Sequence, residues 1–516
     1  MDKFKKWLKK ARLPLIIILS IMFLGAAIFS TYVAVVNLTA VKISLDSGVR
    51  FQTVEGFGMS AAWTFQDMGT DDCAAQQFAD YIYGDDGMRL DTLRFNIGAG
   101  TKEIDNGYED GKTRSAESFF DSAKYTSKES FSDPANYDFT RDSAAMNTFD
   151  RCIATGNIKT VVLFANSPHY LLTANGRGNG TGTYENNLPE ENYAAFADYM
   201  IIIAGYFYNK LSALENPPKI YISPVNEPQW AWGGKKVTQE GCHFDPAPLA
   251  KFYDVFYTKL KGYNAANGTD IKPDFFESGD YRLSAFGRTK FKKYIEEFKK
   301  YPFFSELEHI SVHSYNADNG KGVRNTFAGY AKSNLKGLKI HMSEYCIMRG
   351  GLDRSISTGI ETAGVILKDL TLLNASQWCW WLGAATCGEK EGDWFEDGLV
   401  YYTKEDGKFD FFMTKRYYTM SQFTRFISVG DVRIKANTND KNGLDGMEIC
   451  AFEKDDGSVA VVLINRRKRT RSIALPSGYK LTGATVTDSK RNLQSVPTEG
   501  FKLPGQSVVT LELEKI

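Results

Sequence analysis

The sequence predicts an α/β protein, a (β/α)8 barrel carrying a small antiparallel β-sandwich and preceded by an N-terminal transmembrane helix. Three observations lead there. Eight short apolar runs alternate with longer stretches whose apolar residues recur every three or four positions, as strand and amphipathic helix require. Beyond about residue 428 the pattern becomes apolar/polar alternation between Gly, Asn and Asp turns. Ahead of both, residues 13–36 carry no charge and follow a basic flank.

The first twelve residues hold six basic side chains and one acid. The run "LPLIIILSIMFLGAAIFSTYVAVV" that follows is long enough to cross a hydrocarbon core of about 30 Å. Lys and Arg on its N-terminal side keep that end in the cytoplasm, so everything after Asn37 is expected outside, in a single-pass cell-membrane protein. Cleavage at "AAIFS" would instead give a secreted protein, but the run exceeds the usual signal-peptide core of about 7–15 residues.

Residues 37–52 contain the alternating run "AVKISLDSGVRFQ" and are expected to join the sandwich, although they precede the barrel. The barrel is assigned to 53–427, with strands at 53–60, 91–98, 158–167, 219–227, 273–280, 308–315, 338–345 and 376–383. Near-continuous apolar strands suit a parallel sheet covered by helices. Stretches such as "EENYAAFADYMIIIAGYFYNKL" and "RSISTGIETAGVILKDLTLL" supply those helices. The sandwich is assigned to 428–516, from runs including "VRIKANT", "MEICAFEK", "SVAVVLINRR" and "QSVVTLELEKI".

Composition narrows the partners. Lys plus Arg equals Asp plus Glu, 62 each, so no net charge draws this 516-residue chain to nucleic acid. Aromatic residues make up 14%, which suits both a large core and a stacking surface for sugars. None of the seven cysteines shows metal-site spacing; Cys152, Cys346 and Cys379 lie in apolar segments and read as buried thiols, while Cys379 and Cys387 could pair across a loop. No His/Asp/Glu group has ligand spacing either, so neither metal nor cofactor is expected. Oligomeric state is not legible.

Active sites of such barrels are built at the C-terminal strand ends. There the second strand offers Arg94 and Asn96, the third Asn166 and Ser167, and the fourth Asn226 and Glu227. The sixth offers His313 and Tyr315, the seventh Glu344 and Tyr345, the eighth Trp380 and Trp381. Two carboxylates therefore face each other from strands four and seven. Retaining hydrolysis of a glycosidic bond needs such a pair, one carboxyl group to protonate the leaving oxygen and another to attack the anomeric carbon. Glu227, beside Trp230 and Trp232, fits the acid; Glu344, with Tyr315 arriving from the adjacent strand, fits the nucleophile; Asn226 can hold the sugar 2-OH. Alternation on the eighth strand turns Trp380 to the helices, makes Trp378 a core residue, and demands a bulge if Trp378 and Trp381 are both to face inward.

The motifs "EGFGMS", "RFNIG", "ANSP", "SPVNEP", "HSY", "SEY" and "WCWW", in this order from residue 40 to the C-terminus, resemble glycoside hydrolase family 30. That resemblance implies a retaining clan A glycosidase with a barrel and an attached sandwich, Glu227 as acid/base and Glu344 as nucleophile. It implies substrate contacts at Arg94, Asn166, Asn226, Tyr315 and Trp381, with Trp63 and His313 as further lining residues, and an oligo- or polysaccharide as substrate. Two departures stand out, Met59 in "GFGMS" and His169 in "ANSPHY". The loop "GAATCGEKEGDWFEDGLVYY" contains no Arg, which argues against the glucuronoxylan-specific members and leaves a resemblance to the branch acting on β-1,6-linked galactan. A β-glucosyl, fucosyl or xylosyl target stays open, as does a catalytically silent carbohydrate-binding protein.

Overall fold

The computed structural model describes residues 18–25, 40–104, 114–180, 182–233, 239–283, 290–317, 320–386, 395–440 and 446–516. Most of the apolar N-terminal run, and Cys387, lie outside these. Residues 18–25 are helical with exposed apolar side chains, Phe23 at 79% among them. No helix among the described residues is long and apolar enough to cross a membrane.

Each expected barrel strand has an observed counterpart. After β1 (Val41–Thr53) come β2 (Gly56–Ser60), β3 (Thr92–Asn96), β4 (Thr160–Phe164), β5 (Lys219–Ser223), β6 (Lys272–Pro273), β7 (His309–His313), β8 (Lys339–Glu344), β9 (Ile347–Gly350) and β10 (Ala375–Thr386). β2 to β6 pair in parallel order, β7 pairs with β8, and β10 closes the barrel by pairing with both β8 and β2. Eight helices of eight residues or more cover it among the described residues: α1 (Asp72–Ile82), α2 (Ser143–Ala154), α3 (Tyr193–Ser212), α4 (Pro246–Asn267), α5 (Phe291–Phe298), α6 (Lys321–Asn334), α7 (Ile356–Lys368) and α8 (Lys415–Thr424).

The fifth barrel strand is much shorter than its sequence suggests. β6 is two residues long, and the remaining gap is crossed by isolated bridges, Asn226 to Glu277 and Ser278 to Val312. Phe276 adopts φ +57°, a left-handed conformation that breaks the alternation. Phe275 and Phe276 therefore both pack outward against Tyr253, Tyr294 and Phe298 of α4 and α5. Glu277 is turned inward as a result.

A second difference lies beyond β10, in the segment read as a loop. β11 (Phe395–Glu396) pairs with β9, and β12 (Gly398–Glu405) and β13 (Lys408–Met413) form a hairpin that extends the barrel sheet from β10. Its turn, Asp406 and Gly407 at φ +48° and +77°, is the two-residue type that twists with the flanking strands.

The sandwich strands are β14 (Val432–Thr438), β15 (Met447–Glu453), β16 (Val459–Asn465), β17 (Arg471–Ala474), β18 (Tyr479–Thr487), β19 (Gln494–Ser495), β20 (Lys502–Leu503) and β21 (Ser507–Lys515). β1 sits among them, antiparallel to β14 and parallel to β17. Its alternating residues Val41 and Ile43 share a core with Val461, Leu463, Leu503 and Leu511. On β16 the intervening residues Ala460, Val462 and Ile464 belong to the barrel's core cluster, so this strand is buried on both faces. Removing residues 40–52 would strip β14 and β17 of a shared neighbour and open that core. A protein starting at Val54 should therefore melt about 3–5 °C below one starting at Asn37, since loss of several buried side chains costs a few kcal/mol and each is worth about 1 °C in a chain of this length; equal melting temperatures would contradict this.

Candidate active site

Four carboxylate- or guanidinium-bearing residues meet at the mouth of the barrel, tied together through one imidazole. Arg94 on β3 is fully buried, with Nη1 donating to Glu344 Oε2 at 3.1 Å and Nη2 to Glu277 Oε1 at 3.0 Å. His313 on β7 is also fully buried, its Nδ1 2.8 Å from Glu227 Oε1 and its Nε2 2.7 Å from Glu277 Oε2. Ser343 and Ser223 donate to Glu277 as well. Tyr315 donates its hydroxyl to Glu344 Oε1 at 2.9 Å. An oxygen of Glu227 and an oxygen of Glu344 lie within 4.8 Å of each other, with His313 between them.

Burial penalises charge on every member, and the outcome differs by partner. Burial pushes the His313 imidazole down, but Glu344, Glu227 and Glu277 outweigh it and raise its pKa to about 10, so it is an imidazolium at neutral pH. Burial likewise works against the Glu277 carboxylate, yet Arg94 and His313 hold its pKa far below the usual range. Burial raises Glu344, His313 and Arg94 oppose it, and the charges of Glu227 and Glu277 add to the rise. Two buried cations thus face three carboxyl groups. The cluster is neutral when one of the three carboxyl groups carries a proton.

Strained backbone surrounds this cluster. Glu227 sits at φ +44°, held by its N–H to the Glu277 carbonyl and by Trp232 Nε1 and Trp230 N–H on its own carbonyl. Trp63 (φ +59°) and Trp232 (φ +48°) share the left-handed conformation. Gly279 leaves the space that Glu227 occupies: a Cβ there would lie 2.7 Å from Glu227 Oε1 and 2.6 Å from Trp230 Nε1. Gly279→Ala should cut turnover of a natural glycan about 100-fold, the order of loss that a displacement near 1 Å brings. An activated aryl glycoside, needing less proton donation, should lose far less. Equal losses on both substrates would make Gly279 a packing residue only.

Asn226 donates to Asn166 and Asn166 to Asn96, each at 3.1 Å, and this ladder leaves Asn226 Oδ1 buried without a partner. Trp63 and Trp381 meet edge to face with centroids 5.5 Å apart, and Trp63 Nε1 is also unpartnered. Arg114 lies over Trp63 and pairs with Asp397 at 3.1 Å.

The residues expected at the site thus divide into two groups. Glu227, Glu344, Asn166, Asn226, Tyr315, Trp63 and Trp381 come together at the mouth, whereas Arg94 and His313 lie beneath it, fully buried against carboxylates rather than lining it. Glu277 is the member that sequence reading missed. Its available signal was a Glu at the end of the fifth strand, in the same position as Glu227 and Glu344 on theirs. Met59 and His169 do not line the mouth either. Met59 packs beside Phe78 of α1, and His169 is buried among Phe120, Phe131, Tyr170 and Tyr199, with burial lowering its pKa to about 3.

Trp378 and Trp380 both point away from the barrel axis, their indole N–H groups on Asp369 and on the Asp397 carbonyl, and a bulge follows Trp380. Cys379 is a free buried thiol among the described residues, as are Cys152 and Cys346. At the opposite end of the barrel Asp274, His309 and His341 converge from three strands, a grouping invisible to sequence spacing. Their rings stack with centroids 3.9 Å apart, and each imidazole is already bound to its own carboxylate, Asp274 or Glu55. Stacked rings direct their lone pairs side by side, so this group plugs the barrel floor.

The model of O-glycosyl hydrolase family 30 matches residues 40–401, and that of the family 30 β-sandwich domain matches residues 430–511. The chain belongs to glycoside hydrolase family 30. Family 30 membership makes it an O-glycosyl hydrolase, with its catalytic barrel and C-terminal sandwich both accounted for. An endo-β-1,6-galactanase of Hypocrea rufa is 25% identical over 402 residues, 75% of either chain. A conserved exported protein of Bacteroides fragilis superposes with a TM-score of 0.75 at 22% identity, covering 92% of this chain and all of that one. The catalytic domain of the family 30 xylanase C from Talaromyces cellulolyticus gives 0.65 at 19% identity, again over 92% of this chain and all of the other.

Proposed function

We propose that this enzyme cleaves β-linked glycans with retention, by double displacement through Glu344 and Glu227. The approach of the two carboxylates, within 4.8 Å, carries the reading. Retaining enzymes hold their pair about 5–5.5 Å apart, whereas inverting enzymes leave about 6.5–9.5 Å for a water. Glu344, oriented by Arg94 and Tyr315, attacks the anomeric carbon while Glu227 gives its proton to the leaving oxygen. The glycosyl-enzyme is then opened by a water whose proton Glu227 takes back. His313 Nδ1, 2.8 Å from Glu227 Oε1, holds that carboxyl group in place through both steps. The unpartnered Asn226 Oδ1 is the acceptor for the sugar 2-OH, a bond that strengthens as positive charge develops at the anomeric carbon.

The substrate best supported is a β-1,6-linked galactan, cut internally. The relative from Hypocrea rufa favours it. Arg114, placed against the aromatic wall, is paired with Asp397, which leaves it little to offer an acidic sugar. Assay against β-1,6-galactan, β-1,6-glucan and xylan separates the alternatives: oligosaccharides released from galactan alone support the proposal, and release from xylan or glucan alone overturns it.

The uncharged run 13–36 and its basic flank support a single-pass anchor with the barrel outside the cell. The full-length protein should stay with membranes through a carbonate wash while its barrel is open to external protease. A soluble mature protein beginning near Ser30 would overturn the anchor.

A further inference from the structure

The place where the sandwich begins and the mouth of the barrel lie toward the same end of the molecule. β1 runs from Val41 to Thr53 and leads straight into the barrel floor, where Val54 donates to the Asp431 carbonyl. From Ile43 to Thr53 it runs alongside only Thr438 to Val432 because of its bulges, so Val41 lies about 27 Å from that floor end. The ends of β14, β16 and β18 and the starts of β15 and β21 share the Val41 end. The loop after β18 reaches the first residue of α8, Lys415 donating to the Arg491 carbonyl at 3.1 Å and Asn492 Oδ1 at 2.6 Å. Lys415 lies two residues past Met413, the end of β13, which through β12 flanks the mouth end of β10. The sandwich therefore points its Val41 end in the direction of the barrel's strand ends.

Only residues 37–40 separate the uncharged run from β1, a reach of at most about 14 Å. Around Val41, Lys42, Lys468 and Arg469 are exposed and in no ion pair among the described residues, as is Lys490 on the loop after β18. Of the described acids nearby, Asp440 pairs with Arg467 and Arg471, and Asp488 with Arg491. We infer that this end of the sandwich seats on anionic lipid headgroups, so that the catalytic mouth opens toward the membrane that anchors the chain. The inference rests on the anchor proposed above and is independent of the roles given to Glu227 and Glu344.

The test uses the full chain reconstituted in vesicles of phosphatidylglycerol and phosphatidylcholine carrying an acceptor dye on the headgroups. A donor dye is placed on Met348→Cys, beside the mouth and 70% exposed, or on Lys336→Cys, in the floor loop between α6 and β8. Both carry Cys73→Ser and Cys387→Ser so that only the new thiol reacts. Energy transfer from position 348 should exceed that from 336 several-fold; equal or reversed transfer overturns the orientation although the anchor stands. Protein that fails to float with the vesicles overturns the anchor and this inference together. Because the readout is distance, loss of turnover in any variant leaves it intact. Lys468→Glu with Arg469→Glu should lower transfer from 348 on anionic vesicles and not on phosphatidylcholine alone; no change overturns the part assigned to those charges.

Discussion

Glu344→Gln should lower turnover on every substrate by about 10⁴-fold or more, because no carboxylate is left to form the glycosyl-enzyme. Glu227→Ala should behave differently. An aryl glycoside whose leaving group departs without a proton should still glycosylate Glu344, stall there, and resume when azide is added, since a small anion needs no general base. Two inversions at one carbon give net retention, so the rescued product should be the β-glycosyl azide. Detection by NMR of the α-azide, or full activity of Glu227→Ala on an unactivated polysaccharide, would assign these residues or the stereochemistry differently. The approach of the two carboxylates to within 4.8 Å and the Tyr315 hydroxyl on Glu344 are the structural grounds for expecting this asymmetry.

The second large effect is expected at Glu277, which lies below the pair. Glu277→Gln leaves Arg94 and His313 without the carboxylate that binds both, and breaking a buried ion pair on one side costs about 3–5 kcal/mol. Turnover should also fall by about 100-fold, because Arg94 holds Glu344 only while its other side is anchored. The pH dependence identifies the cause. His313 has a folded pKa of about 10, above its ordinary 6.5, so its contribution to stability is complete below pH 6.5 and is lost as pH rises through about 10. The stability difference between wild type and His313→Gln, from urea melts, should therefore be largest near pH 6 and shrink toward pH 10. In the Glu277→Gln background one of the carboxylates that raises the His313 pKa is gone, so the decline should begin at lower pH. A difference that is flat from pH 6 to 10 would mean His313 is neutral in the folded protein.

Much of this was legible in the chain. The strands of the barrel fall where apolar runs are bounded by turn residues, because a strand buried on both faces has to be continuous in apolar character. Glu227 and Glu344 were found because the fold puts chemistry at strand ends and their runs end on them. The sandwich strand β1 was found across a gap of nearly 400 residues, because alternation is a local property of one strand. Other features had no local signal. The fifth strand failed at Phe276, whose left-handed backbone reflects the packing of two successive aromatic rings onto α4 and α5. The hairpin β12–β13 had its signal in Asp406 and Gly407, which lie just past the stretch 383–402 read as a loop.

What the sequence determined by itself is periodicity and the order of the chemistry: strands, helices, an uncharged N-terminal run, and which residue types end each strand. Only the tertiary structure decided the charge states and the depth at which residues lie. The family resemblance implies substrate contacts at Arg94 and His313, yet closing the barrel puts both under Glu227, Glu277 and Glu344, which arrive from three other parts of the chain. The reason is physical. A carboxylate's pKa and a cation's role depend on distance and burial, and these come from chain closure over hundreds of residues rather than from neighbours in sequence.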